Sequence, residues 1–251
     1  MKTIELPQAV FASADLGRMK GYQLVAKSDE IDRETAQELC RWSPSQLPGR
    51  DPGSWTLNCA KLDETRAVIS RSVRGGPEYS RRGGNQTVTL MAIIDSNEFG
   101  SYNFNAYVFL QTALTLGYLR LPAVLPYGSL EPMVLPADPL IRSPDALHFQ
   151  EEHECEDDFL HDVLQRISAG QRLALIGLDN SLNFLSRLIP RMALESRMNF
   201  SFTSGLTPAV RRPFQLHFLD SIDPSLRRTL LSQQVKVIEY AKMTATTIAS
   251  R

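Results

Sequence analysis

The sequence predicts an α+β (mixed α/β) protein with two subdomains, each a small sheet with packed helices. Short β-rich runs come in groups in the first half of the chain, whereas in the second half they alternate with helical segments. A proline-rich stretch separates the two halves and is too dense in proline for a long helix or a central strand. We therefore predict an N-terminal α+β subdomain (1–120), a connecting segment (121–150) and a C-terminal βα-rich subdomain (151–251).

The elements of the first half are predicted from hydrophobic periodicity and end signals. Asp32 stands at the N-cap position of an amphipathic helix that reaches Trp42. A second helix is predicted over residues 104–119, where Gly117 suits a helix end. The strand at 54–62 alternates Trp55, Leu57 and Cys59 with polar residues, as a half-buried strand does. The other predicted strands are PQAVFAS (7–13), GYQLVAKS (21–28), AVISRSV (67–73) and TVTLMAIID (87–95).

The second half has a strand–helix rhythm. Helices are predicted at 155–170, at 179–194, where Pro190 ends or kinks the helix, and at 223–233, which opens with an Asp-Pro cap. Strands are predicted at 171–178, 198–204 and 214–220. The final run, QVKVIEYA (234–241), fits a strand or a helix equally well.

Composition and charge exclude several classes of protein. The formal net charge is −1 over 251 residues, so no global field recruits nucleic acid or an anionic membrane. Three cysteines lie far apart and form no CxxC pair, which is typical of free thiols in a reducing compartment. No signal-peptide pattern and no bilayer-length apolar stretch is present. We expect a cytoplasmic protein with no membrane contact.

The chain contains no known catalytic signature. The strand–helix unit at 173–188 lacks the glycine patterns that cradle nucleotide phosphates. The stretch 148–162 is rich in acids, His and Cys, but its spacing fits no metal motif. A solvated acidic start of a helix is the simpler interpretation of this stretch, and an acidic surface for a basic partner is the alternative. The sequence thus predicts no cofactor, no metal site and no catalytic residue, and it favours a non-enzymatic protein.

The basic, glycine-rich stretch EYSRRGGNQTVTL (78–90) is the main candidate site. Guanidinium groups bind phosphate or carboxylate through paired hydrogen bonds, and adjacent glycines can turn backbone N–H groups into an anion-binding nest. The alternative is a tight hairpin turn with solvated arginines beside it. Similar arrangements occur at 70–76 and 209–213. The candidate partner- or anion-binding residues are Arg71, Arg74, Arg81, Arg82, Gly83, Gly84, Asn85, Arg211 and Arg212.

Three segments together resemble one bacterial family. They are QAVFASADLGRMKGYQLVAKS (8–28), EYSRRGGNQTVTLMAII (78–94) and RMNFSFTSGLTPAVRRPFQLHFL (197–219). They are similar to the N-terminal domain of bacterial GTPase-associated proteins, and the resemblance spans residues 7–220. It implies an adaptor or regulatory module of a signalling or conflict system, with a small GTPase or another component of that system as partner.

Two functions remain open at this point. The first is a non-enzymatic interaction module that contacts a partner or an anion through its Arg/Gly-rich loops. The alternative is a sensor or enzyme that binds a small-molecule phosphate or a nucleotide at the same loops. A nucleic-acid partner is disfavoured, because the chain is nearly neutral and few aromatic residues accompany the arginines.

Overall fold

The chain folds into two compact units, residues 1–141 (unit 1) and 142–251 (unit 2). The computed structural model describes residues 2–17, 19–48, 53–80, 84–139 and 154–240, with only the backbone described for 154–156. Within these residues the architecture is α+β, which confirms the predicted fold class. The division between the units falls inside the proline-rich range 121–150.

Unit 1 is built on a mainly antiparallel sheet. Its strands are β1 (Thr3–Leu6), β2 (Gln8–Asp15), β3 (Lys20–Lys27), β4 (Trp55–Lys61), β5 (Arg66–Pro77), β6 (Asn85–Asp95), β7 (Gly128–Ser129) and β8 (Met133–Pro136). The strand order within the unit is β4-β5-β6-β2-β3-β7, while β1 and β8 form a separate antiparallel pair. The predicted strands are confirmed, whereas β1, β7 and β8 are short elements that periodicity did not indicate.

The strand β4 is buried on both faces, so the prediction of a half-buried strand was wrong. Thr56 and Asn58, its polar residues, are both buried. Asn58 Nδ2 donates to Thr56 Oγ1 and to Ser70 Oγ, each at 3.2 Å. Because these polar side chains bond to one another, they can be buried without leaving hydrogen-bonding groups unmatched.

The helices of unit 1 begin where side chains cap them. They are α1 (Arg33–Trp42), α2 (Ser96–Ser101) and α3 (Ala106–Thr115). The Asp32 carboxylate accepts from the Thr35 N–H at 2.7 Å, which confirms the predicted cap. Asn105 caps α3 in the same way, so that this helix begins two residues later than predicted.

Unit 2 is a parallel sheet with helices on both faces. Its elements are α4 (Glu154–Ser168), β9 (Arg172–Ile176), α5 (Ser181–Arg191), α6 (Leu194–Asn199), β10 (Phe202–Thr203), β11 (Leu216–Leu219), α7 (Pro224–Ser232) and β12 (Val235–Glu239). The strand order within the unit is β12-β9-β11-β10, and every pair is parallel. The open choice between strand and helix is thereby resolved as a strand for Val235–Glu239.

Each face of the unit 2 sheet has its own core. On one face the Phe184 ring of α5 lies 5.6 Å from the Phe159 ring of α4 and 5.9 Å from the Phe218 ring of β11. On the other face Leu230 of α7 packs with Ala174 and Val235. Because helices cover both faces of the sheet, the residues of β9 form a nearly continuous apolar run.

One strand prediction in unit 2 was partly wrong. Residues 198 and 199 end helix α6, and the strand β10 comprises only Phe202 and Thr203. Phe200 and Phe202 are both buried, with ring centroids 5.4 Å apart. The alternation of apolar residues is therefore real, although only two of the seven residues predicted as a strand pair within the sheet. Pro190 lies in the last turn of α5, which ends one residue later, as predicted.

Candidate functional site

Arg71, the first of the predicted site residues, is engaged inside unit 1. Its guanidinium lies over the Trp55 ring, 4.7 Å from the centroid, and Nη1 donates to the Leu119 carbonyl at 3.1 Å. Burial, together with the charge of Arg120, lowers the pKa of Arg71. A cation–π contact and a backbone bond suffice to position this side chain within the fold.

Arg74 projects from the opposite face of β5. Residues three apart on a strand point to opposite sides of a sheet, and no bulge lies between Arg71 and Arg74. The Arg74 side chain is half-buried, and its Nη2 lies 3.5 Å from the Leu47 carbonyl oxygen. The two arginines upstream of the turn therefore do not share one surface.

The described part of the turn after β5 is a closed hairpin end. Glu78 N–H donates to the Gly84 carbonyl at 3.0 Å, and Asn85 stands opposite Pro77 in the ladder. Gly84 and Asn85 are exposed. Arg81, Arg82 and Gly83 lie outside the described residues.

Arg211 and Arg212 belong to unit 2, in the loop before β11. Arg211 is exposed, whereas Arg212 is half-buried, and burial lowers its pKa. The Arg212 N–H donates to the Ala209 carbonyl at 2.9 Å, which makes a tight turn. Arg211 is therefore the more exposed residue of this pair.

Two hairpin turns of unit 1 lie side by side at one end of the sheet. In the antiparallel pairing of β2 with β6, Phe11 is opposite Thr89 and Gln8 is opposite Ala92. The end of β2 therefore lies beside the start of β6, so the β2–β3 turn and the β5–β6 turn are neighbours. Strand order thus brings together two segments that are about 60 residues apart in the chain.

Large apolar side chains are exposed on both of these turns. Leu16 is 46% exposed and Met19 62% exposed on the β2–β3 turn, and Tyr79 is 41% exposed on the β5–β6 turn. We refer to these three residues as the tip surface. Single exposed apolar residues are ordinary, but three on adjoining turns form a feature that a binding partner can cover.

Hydrogen bonds join the strands next to the two turns. The Tyr22 hydroxyl donates to Glu78 Oε1 at 3.1 Å and accepts from the Thr87 N–H at 3.0 Å. Burial, followed by the neighbouring Glu78 charge, raises the pKa of Tyr22. Gln86 Oε1 accepts from the buried Ser13 N–H at 3.0 Å. The tip surface therefore rests on bonded strands of the sheet.

Replacing Tyr22 by Phe is expected to destabilise unit 1 by about 1–3 kcal/mol, because the Thr87 N–H loses its acceptor. The midpoint of urea unfolding, followed by tryptophan fluorescence, measures this loss. Tyr127→Phe is the matched control, since Tyr127 is 57% exposed. Equal midpoints for the two variants would show that the Tyr22 hydroxyl does not stabilise the junction.

Sequence reasoning missed the apolar part of the tip surface. Leu16 and Met19 flank a short turn between two strands, where polar residues usually occur. Two large apolar residues at such a position were the available signal. Their proximity to Tyr79 could not be predicted, because it depends on the order of the strands.

The acidic stretch is partly described, and two of its described acids, Asp157 and Asp162, pair with arginines of the same unit. Asp157 pairs with Arg187 at 2.7 Å and lies 3.8 Å from Arg191, both on α5. His148, Glu152 and His153 lie outside the described residues. Among the side chains that the structure does describe, no three His, Cys, Asp or Glu residues are placed to hold a metal ion.

A cluster of polar side chains, which includes Arg172 and Gln233, is buried in unit 2 around His217. The His217 side chain is 0% exposed, and neither ring nitrogen has a hydrogen-bond partner within the described residues. The Phe214 ring packs edge-on against the imidazole at 5.8 Å. Burial, and then the charges of Arg172 and Arg212, lower the pKa of His217 to about 3. His217 is therefore a neutral imidazole in the folded protein at neutral pH.

Comparison with known proteins gives a family match for the N-terminal part of the chain. Residues 5–117 match the family model described as GTPase-associated protein 1, N-terminal domain type 2. This confirms the resemblance inferred from the sequence, although the matched range ends well before the segment 197–219. No curated protein and no solved structure gives a significant match.

In the part of the chain that the structure describes, no helix has both the length and the apolarity needed to traverse a bilayer.

Proposed function

We propose that this protein is a non-enzymatic adaptor module of a bacterial signalling or conflict system, and that its tip surface binds a GTPase-related protein in the cytoplasm. The matched family name, GTPase-associated protein, supports the class of partner. The tip surface lies entirely within the matched residues 5–117, so it belongs to the domain that carries that name.

The observation that carries this proposal is the exposure of Leu16, Met19 and Tyr79 on two adjoining turns. Apolar and aromatic side chains at the centre of an interface contribute most of its binding energy once water is excluded. Arg81 and Arg82 follow Tyr79 in the chain, with only Ser80 between them. Arginine is enriched at interfaces, so these residues suit the rim of the same contact.

The charges beside the β5–β6 turn favour a protein partner over a free anion. The Glu78 carboxylate lies at the base of this turn, and a Cβ on Gly84 would be 3.8 Å from its Oε2. A carboxylate at this distance repels an anion held by the backbone of the turn. The acidic residues of a protein surface can instead pair with Arg81 and Arg82, while Glu78 keeps its hydrogen bond with Tyr22.

Replacing all three tip residues by alanine should weaken partner binding by about 30-fold or more, because the buried centre of the contact is lost. The probe is a purified small GTPase of the same bacterium, tested by biolayer interferometry in its GDP-bound and GTP-bound forms. Arg81→Ala/Arg82→Ala, assayed separately, should slow association and make it less dependent on salt.

Leu231→Ala provides the control, because Leu231 is 62% exposed on α7 of unit 2, outside the matched domain. It should bind as the unaltered protein does. Unchanged binding by the triple alanine variant would remove the tip surface from the interface. Circular dichroism of each variant establishes that the fold is retained.

A further inference from the structure

The cluster of polar side chains around His217 has more hydrogen-bond donors than acceptors. Arg172 Nε donates to the Phe214 carbonyl at 3.2 Å and Nη1 to the Gln233 carbonyl at 3.0 Å. Arg172 Nη2 and Gln233 Nε2 are buried and have no partner within the described residues. A neutral imidazole adds one further N–H. Buried donors without acceptors are rare in native proteins and call for a specific explanation.

These groups lie at one place in unit 2. His217 is paired with Ala174 in the ladder of β11 and β9, and Arg172 lies two residues before Ala174 on the same face. That face is the one covered by α7, since Ala174 packs with Leu230. The backbone bond from Arg172 to Gln233 brings the end of α7 to the same edge. The group therefore lies at the amino ends of β9 and β11, beneath the end of α7.

The cluster around His217 is positively charged, and the hydrogen bonds of Arg172 do not neutralise its charge. Within the described residues no carboxylate pairs with Arg172, and both of its bonds are to backbone carbonyls. Arg172 and Arg212 both lie close enough to His217 to disfavour a proton on the imidazole. A metal cation would be repelled by the same guanidinium groups, so histidine here does not indicate a metal site. The ligand that suits these donors is an anion.

We propose that unit 2 binds a small oxyanion, phosphate or carboxylate, between Arg172 Nη2, Gln233 Nε2 and the His217 ring. Its oxygens would accept hydrogen bonds from all three donors. A guanidinium suits such an ion because its N–H groups match the geometry of a carboxylate or phosphate edge. This site is separate from the tip surface and does not depend on the proposed GTPase-related partner.

Titration of the full chain with inorganic phosphate, and separately with acetate, tests the proposal. At about ten times Kd, phosphate should raise the melting temperature by roughly 3–6 °C, because it binds only the folded state. A response to phosphate alone would identify a phosphate site, and a response to acetate alone a carboxylate site. No response to either ion, by melting temperature and by calorimetry, would overturn the proposal.

Arg172→Gln should weaken binding by about tenfold or more, since it removes the charge that pairs with the anion. Arg228→Gln is the matched control, because Arg228 is an exposed arginine on α7, and it should bind as the unaltered chain does. Equal binding by Arg172→Gln and the control would overturn the assignment.

A measurement on the unaltered chain avoids any folding defect of the variants. The ring nitrogen resonances of His217, observed by long-range nitrogen–proton correlation, should move as phosphate or acetate saturates the site. Binding of either ion without movement of these resonances would place it elsewhere.

Discussion

Acidification should destabilise unit 2 by on the order of 4 kcal/mol between pH 6.5 and pH 3 through His217 alone. In the folded state the pKa of His217 is lowered to about 3, against an ordinary value of 6.5. Below pH 6.5 the unfolded chain therefore binds a proton that the folded chain does not. The stabilising contribution is complete above pH 6.5 and is lost progressively as the pH falls to about 3.

His217→Phe should remove this dependence. Phe keeps an aromatic ring beside Phe214, and it carries no group that titrates. The difference in free energy of unfolding between the unaltered chain and the variant should change with pH by up to about 1.4 kcal/mol per pH unit within the interval. Urea unfolding followed by circular dichroism, at several pH values without phosphate, sulfate or acetate, measures it.

Leu230→Ala separates proton linkage from simple loss of packing. Leu230 is fully buried on the same face of the sheet, and its truncation should cost about 2–5 kcal/mol. That cost should be nearly constant with pH, because no titratable group is removed. A His217→Phe difference that is equally constant would show that this histidine is not a buried neutral base.

Several elements could be predicted because their signals are local. Asp32 and Asp223 both lie directly before the first helical residue and accept backbone N–H bonds there, at 2.7 Å in each case. A cap of this kind depends on residues only three positions away. The short helices α2 and α6 were missed, since six residues carry too little periodicity to be distinguished from a loop.

The candidate sites were harder to predict, because they depend on strand order. The surroundings of His217 come from β9 and from the end of α7, each well separated from β11 in the chain. The sequence indicated only a histidine in a strand. Likewise, Arg71 and Arg74 stand close together in the sequence, yet their side chains lie on opposite faces of β5.

Gly75 shows the same difficulty at a single residue. The pair Gly75–Gly76 was interpreted as part of a basic, glycine-rich turn, where glycine supplies unusual backbone angles. Both residues lie within β5 instead. A Cβ built on Gly75 would lie 2.7 Å from Val88 Cγ2 and 3.0 Å from Gln86 Cγ. Gly75 is required because the side chains of β6 approach the backbone closely.

Gly75→Ala should therefore lower the free energy of unfolding of unit 1 by about 1–3 kcal/mol. Val88 is fully buried and has a stiff branched side chain, so it cannot easily move aside. Gly76→Ala should have the opposite sign, a gain of up to about 1 kcal/mol. No atom lies within 4 Å of the added methyl group, and alanine restricts the unfolded chain.

Urea unfolding followed by tryptophan fluorescence compares the two glycine variants directly. Hydrogen exchange supplies a second reading, because a displaced Gln86 would weaken its bond with the Ser13 N–H. That amide should exchange faster in Gly75→Ala and at an unchanged or slower rate in Gly76→Ala. The Ser13 bond joins β2 to β6 next to the tip surface. If Gly75→Ala weakens partner binding and Gly76→Ala does not, binding at the tip surface requires a rigid junction between these strands. Equal stability of the two variants would instead show that β6 can yield at Val88 without cost.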